Sequence, residues 1–262
     1  MPRLQLSTWQ EVETYLATRR DIILPIGSTE QHGPNGLIGT DAICPEVIAN
    51  GVAEKTGVMV GPTLSIGMAQ HHMAFPGTIT YRPQTMIETL KDVIASLAKH
   101  GFERIYFLNG HGGNIATIKA AFAEVYSECT LLGQNKGQDQ NHEQGQAQDH
   151  NELNLTLFNW FMGRRGRELA SELYGDAEGY HATASEVSLA WHAAGLEKHV
   201  AMTPGLAPNG SAECTADVFR RRFPDGRMGS DPSLSRREHG VRFLEAGVED
   251  AWEAYRAFVG QA

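Results

Sequence analysis

Three short segments of the sequence gather the residue types that bind divalent metal ions in proteins. They are GSTEQHGPNGLIGTD at 27–41, NGHGGN at 109–114 and HATASEVS at 181–188. Their candidate metal ligands are Glu30, His32, Asp41, His111 and Glu186. Carboxylate and imidazole together suit zinc, manganese or iron. A carboxylate with two oxygens, as at Asp41, can bridge two ions about 3.5–4 Å apart, so the set can serve one ion or two.

The spacing within the segments favours a shared site. Glu30 and His32 are two residues apart in an extended segment, so they point the same way and can reach one centre or two neighbouring ones. The Gly/Pro-rich bend that follows lets the chain bring Asp41 to the same place. Three glycines around His111 permit a close approach of the backbone. Glu186 lies near an expected helix start and can face the strand ends.

Each segment also has an alternative that involves no metal. Glu30 or Glu186 can simply cap a following helix, and His111 can be incidental to a strained glycine turn. A phosphate loop is a weak interpretation of GHGGN, which lacks both the GxGxxG spacing and the lysine of a P-loop. His71 and His72 are adjacent, so in an extended chain at most one of them can enter a site.

Strand-like and helix-like patterns alternate along most of the chain. Apolar runs predict strands at 21–27, 58–62, 104–109 and 153–160. Helical spacing predicts helices at 8–19, 44–55, 84–100 and 235–258, with another that ends near Glu128. The stretch 204–232 is expected to be a packed loop. Strands that are continuously apolar and are each followed by a helix predict one α/β domain, 1–262. We expect this domain to be a three-layer α/β/α sandwich with a mostly parallel central sheet. Ligand sites in such sheets lie at the carboxyl ends of the strands, where the three segments fall.

Composition limits the choice of partners and of cellular location. Among 262 residues, 22 Lys+Arg face 31 Asp+Glu, and the net charge of -9 argues against nucleic acid and against an anionic membrane. No apolar run approaches the roughly 18 residues of a membrane span, so we expect a cytoplasmic protein with a small-molecule substrate. The chain has three widely spaced cysteines, which argues against a disulfide framework. The segment 134–151 holds six Gln and one apolar side chain, which predicts a disordered insertion.

Taken together, the motifs are similar to those of the creatininase (creatinine amidohydrolase) family. LPIGSTEQHGP…GTD resembles the family's first metal motif, FPGT its central turn and NGHGGN its histidine loop. HATASEVS resembles its last motif, usually HAGxxET, and 223–240 resembles its glycine-rich C-terminal segment. The resemblance extends over about residues 7 to 255, and only the Gln-rich insertion falls clearly outside it.

The resemblance implies a creatininase-like fold and a hydrolase with two divalent ions per chain, zinc first, with manganese or iron as alternatives. Such enzymes cut C–N bonds in amides, often cyclic, and commonly assemble as homo-hexamers. By position, Asp41 is the bridge, Glu30 and His111 bind one ion, and His32 and Glu186 bind the other. His181 carries over as the proton-transfer histidine, so that the catalytic residues are His181 and Glu186. His72 carries over as a histidine of the substrate pocket.

This sequence departs from the enzyme that names the family at three positions. A metal-binding glutamate that follows the loop histidine by two residues is replaced by Gly113, and Glu186 is its natural substitute. The tryptophan expected four residues before His181 is replaced by Ala177. Thr183 stands where glycine is usual. These differences argue against creatinine itself as the substrate.

The expected mechanism needs no serine or cysteine nucleophile. A water activated between two ions that share Asp41 attacks the amide carbon, and His181 donates a proton to the leaving nitrogen. Backbone N–H groups of Gly112 or Gly113 can stabilise the oxyanion, which makes both substrate-binding candidates. One alternative is a deformylase or peptide-trimming amidase on a linear substrate. Another is a metal-binding scaffold without turnover, which is disfavoured because structural sites fill their coordination shell with protein ligands.

Overall fold

A four-stranded parallel sheet lies at the centre of the computed structural model, which describes residues 2–132 and 153–260. Its strands are β1 Asp21–Ile26, β2 Met59–Val60, β3 Arg104–Asn109 and β4 Asn154–Asn159, in the order β2-β1-β3-β4. Every residue of β1 is buried, as expected for a strand covered on both faces. The predicted strands are therefore confirmed, with shorter bounds for β2 than the sequence indicates. The Gln-rich segment 134–151 lies outside the described residues.

Eight α-helices surround the sheet in the part of the chain that the structure describes. They are α1 Trp9–Leu16, α2 Thr40–Thr56, α3 Pro83–Lys99, α4 Ile115–Leu132, α5 Arg164–Tyr174, α6 Ala184–Ala194, α7 Ala216–Arg222 and α8 Arg237–Phe258. The predicted start of α2 at Cys44 is wrong, because the helix begins four residues earlier and contains Pro45. The stretch 204–232 is not only loop, since α7 forms within it. Short 3-10 turns link several of these elements, including 112–114 before α4.

The side chains of the strands alternate between two apolar cores, which confirms the three-layer sandwich. Ile22, Leu24 and Ile26 of β1 pack toward α3 and α4. Ile23 of β1 and Tyr106 of β3 face the opposite core, which is closed by α2, α5, α6 and α8. The period of two along a strand produces this alternation. No helix among the described residues is both long enough and apolar enough to span a bilayer.

Two glycines allow the start of α2 to pack against the carboxyl edge of the sheet. Gly27 follows β1 and Gly110 follows β3, and a Cβ atom on either would lie 2.0 Å from the backbone oxygen of Asp41. Only a residue without a side chain fits such an approach. Pro45, four residues after Asp41, has no N–H to donate to that oxygen. The local sequence thus places Asp41 between the ends of two central strands.

Candidate metal centre

The five predicted ligands converge at the carboxyl edge of the sheet. Glu30 and His32 lie in the loop after β1, His111 follows β3, and Asp41 and Glu186 lie in the first turns of α2 and α6. Among these five residues, two groups of three have ligand atoms within 4.8 Å of one another: Glu30 with Asp41 and His111, and His32 with Asp41 and Glu186. Each group combines two carboxylates with one imidazole. Asp41 belongs to both groups.

Asp41 presents one carboxylate oxygen to each histidine. Its Oδ1 lies 2.9 Å from Nε2 of His32, and its Oδ2 lies 2.8 Å from Nδ1 of His111. The carboxylate is buried, with 3% of the residue exposed. A carboxylate whose two oxygens face separate donor groups has the arrangement of a bridging ligand.

Backbone carbonyl groups orient both histidines. Nδ1 of His32 lies 3.2 Å from the carbonyl oxygen of Glu30, and Nε2 of His111 lies 2.9 Å from that of Met68. When these nitrogens donate to the carbonyls, the ring nitrogens that face Asp41 are the ones that must be unprotonated to bind a metal ion. Hydrogen bonds of this kind fix the tautomer and the ring orientation of metal-binding histidines.

The two glutamates are held by different contacts. Ser28 Oγ donates to Glu30 Oε2 at 2.8 Å, inside the core of the site. Glu186 is the third residue of α6 and forms a capping box with Thr183, whose backbone N–H donates to Glu186 Oε1 at 2.6 Å. Its Oε2 lies 4.0 Å from Nε2 of His32. The helix-capping alternative for Glu186 and the metal-ligand interpretation are thus compatible, because each uses one oxygen.

Unpaired buried atoms at the centre of the cluster fit a bound cation. Glu30 Oε1, His32 Nε2 and Asp41 Oδ2 are buried and make no hydrogen bond of good geometry, although His32 Nε2 lies 2.9 Å from Asp41 Oδ1 and Asp41 Oδ2 lies 2.8 Å from His111 Nδ1. Unpaired buried polar atoms are costly, so their convergence calls for a ligand. The donor set, two carboxylates and an imidazole in each group, is one that zinc, manganese and iron accept. The residues present therefore fit divalent metal ions.

The acidic and imidazole side chains of the cluster shift one another's pKa values in the absence of metal. Burial acts to lower the pKa of His32, but Asp41, Glu186 and Glu30 outweigh it and raise that pKa to about 10. Burial acts on His111 in the same direction, and Glu30 and Asp41 raise its pKa to about 9. For Asp41, burial acts to raise the pKa, yet the two histidines hold it below its usual range. Binding of a divalent cation would displace the histidine protons, as metal sites commonly require.

His181 lies beside the cluster, in contact with the residue between two of the ligands. Its Nε2 is 2.9 Å from the backbone oxygen of Gln31, and its Nδ1 is 3.9 Å from Glu30 Oε1. Burial and the neighbouring His72 and His32 place its pKa well below the ordinary value. These surroundings favour the neutral imidazole, with Nδ1 turned toward the cluster.

A cavity of about 450 Å³ opens beside the cluster. Asp41, His111, Gly112, His181 and Glu186 contribute to its wall. His72 and Gly113, the other two substrate-binding candidates, do not line it. His72 is 1% exposed, and its Nε2 lies 3.3 Å from Glu30 Oε1, so it supports a ligand instead. A Cβ atom on Gly113 would lie 2.4 Å from His111 Nε2, so this glycine makes room for the histidine ring.

Several residues that support the site went unrecognised in the sequence. The Nε2 atom of Gln31 lies 2.9 Å from a ring nitrogen of His72 and 2.9 Å from one of His181. The place of Gln31 in the sequence, between two candidate ligands, was the signal that could have identified it. Asn114 donates to the backbone oxygen of Gly27 and accepts from Met68 N, which ties the histidine loop to two other segments. Such long-range pairings leave no spacing pattern in the sequence. Arg167 of α5 also lines the cavity and was not singled out.

Known proteins resemble this chain in fold over nearly its whole length. A solved structure described as "Creatininase Mn" aligns with a TM-score of 0.77 and 25% sequence identity, covering 97% of this chain and 97% of that one. The helices and strands described above thus have the arrangement of a creatininase.

Sequence relatives match over shorter stretches. A creatinine amidohydrolase from Pseudomonas putida is 34% identical over 132 residues, which are 48% of this chain and 51% of that protein. A mycofactocin precursor peptide peptidase from Mycolicibacterium smegmatis is 35% identical over 108 residues, 39% of this chain and 43% of that protein. The chain thus spans about half the length of the curated relatives it matches. The family model described as creatinine amidohydrolase, however, matches residues 5–255. Fold, motifs and this match together show that the chain belongs to the creatininase family.

Proposed function

We propose that this protein is a metal-dependent amidohydrolase that cleaves a C–N bond of a small amide, a cyclic amide or an amidine. The observation that carries the proposal is the pair of acid–histidine groups that share Asp41 and border a cavity. Glu30 and His111 would hold one divalent ion, His32 and Glu186 the other, and Asp41 would contact both. When bound, such ions supply Lewis acidity and lower the pKa of a water toward about 7.

His181 supplies the proton transfer in this proposal. Its neutral imidazole can accept a proton from the attacking water at Nδ1 and deliver it to the leaving nitrogen, which completes cleavage of the C–N bond. The contact between Nε2 and the Gln31 carbonyl holds the ring with Nδ1 toward Glu30. The wall residue Gly112 offers a backbone N–H for the developing oxyanion.

The cavity volume favours a small substrate. About 450 Å³ lies within the range of small-molecule pockets, roughly 300–1,000 Å³. The alternative, trimming of a linear formamide or peptide, is supported by the similarity to a mycofactocin precursor peptide peptidase. The absence of a tryptophan at Ala177 supports a substrate other than creatinine. Zinc as the preferred ion, a cytoplasmic location and assembly as a homo-hexamer stay predictions.

A substrate screen tests the proposal. Zinc- or manganese-loaded protein is incubated with hydantoin, dihydrouracil and creatinine, and in parallel with formamides and short peptides. Chromatography should show ring opening of a cyclic amide by the wild type and none by Asp41→Ala at equal concentration. Cleavage of the linear compounds alone would show that the alternative, trimming of a linear formamide or peptide, is the correct function. Failure to cleave any amide with both ions bound would contradict the amidohydrolase.

A further inference from the structure

The arginines of α5 are paired with acidic side chains, except one. Arg164 lies 3.0 Å from Glu168, and Arg165 lies 2.9 Å from Asp250. Arg167 belongs to the same helix, yet its guanidinium has no ion pair or hydrogen bond among the described residues. An exposed arginine without a partner is ordinary on a protein surface. Arg167, however, lines the cavity beside the metal centre.

The charge of this cavity gives Arg167 a distinct position. Its ionisable wall residues include three carboxylates: Asp41, Glu178 and Glu186. Glu178 is already hydrogen-bonded to Ser185, whose backbone N–H donates to its Oε2 at 3.3 Å. Of the described residues that line the cavity, Arg167 alone is a lysine or arginine. It is therefore the fixed positive charge available to a molecule that enters.

Two further residues with hydrogen-bond donor groups line the same cavity. The indole nitrogen of Trp160 is buried and has no hydrogen-bond partner, in a residue that is 3% exposed. Ser171 is four residues after Arg167, so the two side chains lie on one face of α5, and both contribute to the wall. Gly166 also lines the cavity, and a Cβ atom there would meet nothing within 4 Å, so there is open space beside Arg167.

We propose that Arg167 binds a carboxylate of the substrate, so that the amide this site cleaves is one that also carries a carboxylate group. The inference rests on the proposed function. A guanidinium binds a carboxylate through two parallel N–H···O bonds, which gives both affinity and orientation. With the carboxylate held at α5, the remainder of the molecule extends toward the cluster at Asp41 and Glu186.

The wall favours a carboxylate over a phosphate. A phosphate monoester carries close to two negative charges at neutral pH, whereas a carboxylate carries one. With Asp41 and Glu186 holding metal ions, Glu178 is the wall carboxylate that holds no ion and repels the more highly charged group more strongly, and one arginine neutralises one charge. A monoanion is therefore the better match.

Matched ligand pairs test the inference by equilibrium binding to zinc-loaded protein. The pairs are 5-oxoproline with 5-oxoprolinamide, and N-formylglycine with N-formylglycinamide. Calorimetry should show tighter binding of the acid in at least one pair. Arg167→Ala should lower that affinity about 10- to 100-fold, the loss of a charge-assisted pair, and leave the carboxamide unchanged. Arg167→Lys should restore part of the affinity, because the charge returns without the planar fork.

Arg164→Ala is the matched control, since Arg164 lies on the same helix and pairs with Glu168. It should keep the wild-type preference for the acid. The inference is wrong if no acid binds more tightly than its carboxamide. It is also wrong if Arg167→Ala keeps the preference for the acid, which would happen if the carboxylate of the ligand bound the metal ion and not Arg167. Tighter binding of N-formylaminomethylphosphonate than of N-formylglycine would also overturn it. Because binding is measured, absence of hydrolysis would refute the proposed function but not the binding of a carboxylate by Arg167, so the two failures are distinguishable.

Discussion

At the scale of single residues, metal binding depends on which ring nitrogen of each histidine faces the ion. His32 and His111 each use one nitrogen on a backbone carbonyl and present the other to Asp41. Residue types and their position after strands allowed the ligands to be predicted. The orientation of the imidazole rings could not be predicted, because the carbonyl that holds His111 belongs to Met68, 43 residues away in the chain.

His181→Ala tests whether this residue transfers protons or binds metal. We expect turnover of the best amide from the screen to fall about 10²- to 10⁴-fold, the usual contribution of a general acid–base group. The metal content should be unchanged, because each three-residue group that contains Asp41 is complete without His181. His199→Ala, at an exposed histidine paired with Glu197, is the control and should retain activity. Loss of one ion from the His181 variant would instead make His181 a ligand, as its proximity to Glu30 and His32 allows.

At the scale of elements, the beginnings of two helices place Asp41 and Glu186. The T-x-x-E pattern of Thr183 and Glu186 is a capping signal that the sequence shows directly. The start of α2 was placed too late, since a proline at position 45 is unusual inside a helix. α5 was missed because its sequence, RRGRELASELY, is largely polar and contains a glycine. Packing of a few apolar residues such as Leu169 stabilises it, and a local pattern does not reveal that.

Gly113 and Gly112 offer a matched pair for testing the histidine loop. A Cβ atom at Gly113 would lie 2.4 Å from His111 Nε2 and 2.6 Å from the Met68 oxygen, which are the two atoms that orient the ring. Gly113→Ala should therefore lower zinc affinity about 10- to 100-fold, the range for disturbed support of a metal-binding histidine. A Cβ atom at Gly112 would meet nothing within 4 Å, so Gly112→Ala should keep the wild-type affinity. Competition with a chromogenic chelator measures both, and equal affinities would show that Gly113 has no such role.

At the scale of the whole molecule, a polar network at the amino-terminal end of β1 ties the last helix to the first strand. Asp21 of β1 is 4% exposed and accepts from Arg19 at 2.9 Å and from Tyr255 of α8. Burial acts to raise the pKa of Asp21, but Arg19 and Tyr255 outweigh it and hold the pKa below its usual value. The ionised carboxylate thus stabilises the fold above the ordinary aspartate pKa of about 3.9, and the stabilisation is lost as pH falls further.

Asp21→Asn should lower the free energy of unfolding by about 1–3 kcal/mol at pH 7, the cost of removing a charged hydrogen-bond acceptor. Urea unfolding of metal-free protein from pH 7 to pH 3 measures this difference. The difference between wild type and variant should shrink as pH falls below about 4, where Asp21 of the unfolded wild-type chain becomes protonated, and it should be lost once the folded protein is protonated there as well. Asp92→Asn, at an exposed position of α3, should be neutral throughout. A difference that is the same at pH 3 and pH 7 would show that the charge of Asp21 is not what stabilises the fold.

The fold and the proximity of the five candidate ligands were accessible from the sequence for different reasons. Continuous apolar strands alternating with amphipathic helices are a local signal, and they predicted the sandwich and its sheet. The assignment of Glu30 with His111, and of His32 with Glu186, came from the family resemblance, and the structure places the same groups together. The shape of the cavity was not predictable, because Arg167 and Trp160 reach it through packing among α5, α8 and the end of β4.

Metal content is the most direct measurement of whether Asp41 is shared by two ions. Elemental analysis is made on the native protein beside Asp41→Ala and Glu186→Ala, each reconstituted with zinc or manganese and checked for folding by circular dichroism. We expect about two ions per chain in the wild type, both weakened or lost in Asp41→Ala and about one retained in Glu186→Ala. One ion or none in the reconstituted wild type, or two ions kept by folded Asp41→Ala, would contradict the bridge and the dinuclear hydrolase built on it.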